Sequence, residues 1–71
     1  MTFLSIKLKT IEDVYEFVRI ATECDVDVDV KQKHYTVNGK SILGIFSLDL
    51  RQSMQLIVKS GDDSKFKQFK I

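Results

Sequence analysis

Residues 25–30 read Asp-Val-Asp-Val-Asp-Val, the strictest period-two pattern in the chain. Successive side chains of an extended strand point to opposite faces. Val26, Val28 and Val30 therefore share one face, and Asp25, Asp27 and Asp29 the other. The valines gain by leaving water and the carboxylates lose by it. A strand of this kind belongs to an antiparallel sheet packed on one side only, because parallel sheets are covered on both faces. The carboxylate row is the wrong shape for calcium, since a straight strand does not wrap an ion. It reads as a wet outer face that discourages sheet stacking.

The other periodicities supply what covers that sheet. Residues 2–9 alternate, with Leu4, Ile6 and Leu8 opposite Ser5, Lys7 and Lys9, and predict a first strand. Thr10 caps a helix, with Glu12 and Asp13 in its first turn, close to a capping box and favourable to the helix dipole. Val14, Phe17, Val18 and Ala21 form the apolar stripe of that helix, Ile11 extends it one turn earlier, and the helix ends near Glu23. After the strand at 25–30, Lys31-Gln32-Lys33 reads as a turn and 34–37 as a short third strand, followed by the turn signal Asn38-Gly39. Ser41 caps a short helix over 41–48. Met54, Leu56 and Val58 alternate with Gln55 and Lys59 in a fourth strand. Gly61 to Ser64 turns the chain into a last helix over 65–71, with Phe66 and Phe69 at i, i+3. The order is βαββαβα: an α+β fold, with one four-stranded antiparallel sheet and three helices on one face.

The chain's 71 residues make one domain, 1–71, with a thin core. A hydrophobic fraction of 44% is too high for a disordered chain. Eleven basic and ten acidic residues leave a formal charge of +1, without the clustered basic face that nucleic acid requires. Phe66 and Phe69 beside Lys65, Lys67 and Lys70 read as buried rings with lysines outward, not as a stacking platform. Cys24 is the only cysteine and fits a reducing compartment. No run approaches the roughly 20 apolar residues of a membrane span, so the expectation is a cytoplasmic protein without membrane contact. Neither Cys24 nor His34 has zinc-ligand spacing, and no cofactor motif, P-loop or catalytic triad is visible. No metal, no cofactor and no enzymatic activity are expected.

The greasiest stretch carries a resemblance. Lys40-Ser41-Ile42-Leu43-Gly44-Ile45-Phe46-Ser47-Leu48 resembles the regulatory-serine segment of HPr, the small phosphocarrier of the bacterial sugar phosphotransferase system. That segment usually reads Lys-Ser-Ile-Met-Gly-Val-Met-Ser-Leu. The resemblance extends along nearly the whole chain and is strongest over residues 17–48. It implies an open-faced β-sandwich in the same element order. It also implies a shortened last helix, hence apolar surface left for a homodimer or another partner.

The resemblance further implies where chemistry should stand. HPr carries a phosphoryl group on a histidine at the start of its first helix, where imidazole is nucleophilic, backbone N–H groups receive phosphate and an arginine adds charge. Counting back from Phe17-Val18, the histidine position falls on Thr10, the arginine position on Glu12 and the proline position on Asp13. Carboxylates repel the phosphate that the arginine would attract. His34, expected in the third strand, lacks a helix dipole and reads as a solvated histidine. The resemblance makes Ser41 the better candidate: in HPr relatives this serine is phosphorylated by a kinase, which implies a regulatory phosphorylation site at Ser41 next to Lys40, with Ile42, Leu43 and Phe46 as a docking patch. The bland alternative makes Ser41 only a cap and the apolar helix only core. The expectation is an HPr-like regulatory or interaction module whose partners are phosphotransferase-system components, a serine kinase or a transcription regulator. Its rivals are a phosphocarrier using an unconventional residue, His34 or Thr10, and a structural homodimerising module.

Overall fold

The computed structural model describes residues 1–60 and 63–71, so part of the expected turn after the fourth strand lies outside the described residues. Its elements are β1 (Thr2–Ile6), α1 (Ile11–Glu23), β2 (Val28–Gln32), β3 (Tyr35–Asn38), α2 (Ile42–Phe46), β4 (Met54–Val58) and a last helix, Ser64–Phe69, of the 3₁₀ type. The strands form one antiparallel sheet in the order β1-β4-β2-β3. The fold is the expected α+β open-faced sandwich. One sheet face, carrying Ile6, Val28, Val30, Met54, Leu56 and Val58, is buried against Val14, Phe17, Ile20 and Ala21 of α1. On the other face Phe3, Ser5 and Gln55 stay exposed.

The Asp-Val alternation is real but only half of it is strand. Val28 and Val30 are buried, yet Asp25, Val26 and Asp27 precede the ladder. The reason is register: β4 ends where Val58 meets Val28, and among the described residues the ladder goes on only as a bond from Lys59 N–H to the Asp27 carbonyl, at 3.0 Å. Asp29 faces out and pairs with Lys59 at 3.3 Å. β1 likewise stops at Ile6, where its partner β4 begins at Met54. Leu8 is still buried, and Lys7 N–H turns to the Phe69 carbonyl at 2.9 Å. The end of the chain lies along the free edge of β1, through an Ile6–Lys70 bridge and Ile71 N–H to the Ser5 carbonyl.

Three further expectations need correction. Lys31 and Gln32 continue β2 instead of turning, and the turn is Lys33-His34, which places His34 in a two-residue hairpin loop and not in a strand. Lys33 takes a φ of 54°, a left-handed conformation usually left to Gly or Asn. The apolar stripe of α1 is rotated: Ile20 is buried, whereas Ile11 is 58% exposed. Finally, the last helix covers 64–69 in place of 65–71 and is 3₁₀. At three residues per turn, Phe66 and Phe69 eclipse each other, so both rings reach Phe17, at centroid distances of 5.2 and 5.7 Å.

Candidate functional site

Ser41 is the N-cap of α2. Its extended backbone lets Oγ accept the Gly44 N–H at 3.1 Å, which satisfies one of the orphan donors at the helix start. Gly44 leaves room for that bond: a Cβ there would lie 3.2 Å from Ser41 Oγ and from the Val37 side chain. Upstream, Gly39 brings the chain hard against β2, its N–H donating to the Val28 carbonyl at 2.6 Å. A Cβ on Gly39 would sit 2.8 Å from Val28 Cγ1. The Asn38-Gly39 turn thus sets where Ser41 emerges. The Lys40 N–H donates to Asn38 Oδ1 at 2.9 Å, while the Lys40 ammonium reaches across to the Cys24 carbonyl, also at 2.9 Å, just past the end of α1.

Behind the cap, α2 divides its apolar residues. Ile45 is fully buried and Ile42 half-buried against the core. Leu43 is 80% exposed and Phe46 39%. Phe46 meets Tyr15 of α1 edge-on, with ring centroids 6.2 Å apart. Ile11, Tyr15, Phe46 and Leu43 therefore form one apolar strip across the two helices, since Ile11 lies one turn before Tyr15 and Leu43 one turn before Phe46. Of these, Tyr15 and Ile11 are the residues that reading the sequence missed as surface. The signal was present for Tyr15, an aromatic residue off the apolar stripe and among charges.

The start of α1 is acidic. Thr10 Oγ1 accepts the Asp13 N–H at 3.0 Å, and Asp13 Oδ2 accepts the Lys9 N–H at 3.0 Å. That is a capping box displaced by one residue. Glu12 is exposed beside it. Farther along, Arg19 pairs with Glu16 and, at 3.2 Å, with Glu23. The hydrogen bond from Arg19 holds the Glu16 carboxyl below its ordinary range and raises the Arg19 guanidinium. Asp49 is lowered in the same way by Arg51. His34 stands exposed on the β2–β3 hairpin, on a different element from Thr10 and Ser41.

The connection after α2 is held by a group expected to lie in a turn. Gln32, only 8% exposed, accepts the Asp49 N–H through Oε1 and donates to the Asp49 carbonyl through Nε2, both at 2.8 Å. Among the described residues, no three metal-type side chains come together, and no helix is long and apolar enough to cross a membrane. A cleft of about 240 Å³ lies where Cys24 and Val26 face Val58 and Phe66, at the far end of α1 from Thr10.

This is an open-faced α+β sandwich with a capped, half-exposed helix beside a longer capped one. A crystal structure of HPr-C-His from Thermoanaerobacter tengcongensis is similar to it, with a TM-score of 0.78 and 27% identity over 94% of this chain and 84% of that one. The phosphocarrier protein HPr from Bacillus anthracis shares the fold, with a TM-score of 0.69 and 23% identity over 94% and 86%. No curated protein sequence matches the chain. The model of the HPr component phosphorylation site of the phosphotransferase system matches residues 14–67. The chain belongs to the HPr phosphocarrier family.

Proposed function

We propose that this HPr-family chain is a regulatory interaction module, switched at Ser41 and read through the apolar strip behind it, and that it does not carry phosphate on a histidine. One observation carries the reading: the Ser41 hydroxyl caps the helix whose outward residues, Leu43 and Phe46, continue into Tyr15 of α1. A phosphate added there sits at the border of a docking surface and is favoured by the free N–H groups of the helix start. It competes with the Cys24 carbonyl for the neighbouring Lys40 ammonium. The start of α1 supports the negative half. Thr10 is engaged as a cap and is no match for imidazole as a nucleophile, and Glu12 and Asp13 oppose a dianion. The module is not an enzyme, needs no cofactor and acts in the cytoplasm on protein partners of the phosphotransferase system.

The test uses the full chain in two incubations, one with the first enzyme of the phosphotransferase system and phosphoenolpyruvate, one with the serine kinase and ATP. Intact mass is measured after each. The expected result is acid-stable label from the kinase alone, lost in Ser41→Asn, a variant that keeps the cap and so keeps the fold. Label from the first reaction would overturn the reading in favour of a phosphocarrier, acid-labile if it sits on His34 and acid-stable if it sits on Thr10. No label in either reaction would remove the switch.

A further inference from the structure

We infer that the strip of Ile11, Tyr15, Leu43 and Phe46 docks a protein surface of apolar side chains ringed by lysine and arginine. This rests on the reading of the strip as a docking surface, but not on Ser41 being modified. Four large apolar side chains, from 39 to 80% exposed, lie one turn apart in pairs on two helices that meet at the Tyr15–Phe46 edge contact. A patch of that kind on a small domain is an interaction site or an aggregation hazard. The other exposed large apolars, Met1, Phe3, Tyr35 and Ile71, lie on neither helix.

The rim decides the partner. α1 carries four carboxylates, Glu12, Asp13, Glu16 and Glu23, against one guanidinium, and α2 carries no charge at all. The guanidinium of Arg19 is already held between Glu16 and Glu23. Glu12 and Glu16, next to Ile11 and Tyr15 in α1, carry the charge beside the strip, while Lys40, ahead of α2, has its ammonium turned to the Cys24 carbonyl. Docked proteins bury an apolar core inside a polar rim, and rim charges select the partner of opposite sign and repel the like one. An acidic partner would meet Glu12 and Glu16 directly. A second copy would set the same carboxylates against each other, because a two-fold interface brings each patch onto itself.

The experiment titrates the ¹⁵N-labelled full chain with three designed helical peptides: leucine face with lysines, the same leucine face with glutamates, and lysines without leucines. Backbone amide shifts report site and affinity. The leucine–lysine peptide is expected to move the amides of α1's first two turns and of α2, to bind at least about tenfold more tightly than the leucine–glutamate peptide, and to weaken as salt shortens the screening length below about 8 Å. Glu12→Lys with Glu16→Lys reverses the preference, and Leu43→Ser, at a solvent-exposed position, weakens both without moving the melting temperature. Equal or tighter binding of the glutamate peptide would overturn the inference. So would shifts centred on Asp25–Asp29, equal binding of the leucine-free peptide, or self-association through the strip in the absence of any peptide. Docking that persists when Ser41 takes no label leaves this inference standing and removes only the switch.

Discussion

Replacing Gln32 by Met removes the amide while keeping an unbranched side chain of similar length. Gln32 makes two 2.8 Å bonds to the backbone of Asp49, seventeen residues on, and a longer one of 3.4 Å to the Ser53 carbonyl. Each lost bond costs about 1 kcal/mol net, and a donor or acceptor left dry costs about 1–3 kcal/mol more. Asp49 is half-buried, so water reaches its backbone in part and the total comes to about 2–3 kcal/mol. A domain of this size has roughly 4–10 kcal/mol in all, and each kcal/mol moves the melting temperature by about 4–8 °C. Thermal unfolding followed by far-ultraviolet circular dichroism should therefore fall by roughly 10–20 °C. A fall under about 4 °C would refute the clamp, because it would place less than one hydrogen bond's worth of energy in Gln32. Gln32→Glu supplies the control. At neutral pH its carboxylate accepts from the Asp49 N–H but faces the Asp49 carbonyl, and the variant is destabilised. On acidification the carboxyl gains a proton to donate, so this variant alone recovers stability as pH falls.

Three further outcomes are expected. Ser41→Ala loses the cap bond to Gly44 and about 1 kcal/mol, whereas Ser41→Asn and Ser41→Asp stay within a few tenths of wild type in urea unfolding. Lys33→Asn, at a φ of 54°, raises stability by a few tenths to about 1 kcal/mol in the same assay, since Asn tolerates the left-handed region. Glu16 is held below its ordinary carboxyl range by Arg19, so the stability it lends is present above its unfolded pKa and lost as pH falls through the lower folded value. Arg19→Gln should raise the Glu16 midpoint toward the ordinary range in an NMR titration of the carboxyl carbon, and added salt should do the same more weakly.

Element type was written locally and could be read locally. Thr10 with Asp13 marks the start of α1, Ser41 the start of α2, and the alternation of Met54, Leu56 and Val58 a one-sided strand; all stand where the periodicity puts them. The misses share one cause. Whether Asp25–Asp27 belongs to a strand depends on where β4 ends, and whether Gln32 turns the chain depends on Asp49. Ile11 and Ile20 are equally apolar, and only the position of the sheet under α1 decides which of them is buried. At the candidate site, Ser41, Leu43 and Phe46 were legible because a cap and an over-apolar helix stand out in sequence. Tyr15 joined them only through its edge contact with Phe46, thirty-one positions away in the chain.

By itself the sequence determined that this chain makes a sheet wet on one side, with helices on the other, and that its second helix is too apolar to be ordinary surface. Side-chain spacing carries that information because a helix and a strand each impose a fixed period on which residues share a face. Only the tertiary structure decided the strand order β1-β4-β2-β3, the rotation of α1, the grip of Gln32 on the connection after α2, and the meeting of two half-exposed helices at Tyr15 and Phe46. Those are choices of partner between segments far apart in the chain, and periodicity says which face seeks burial but not what will cover it.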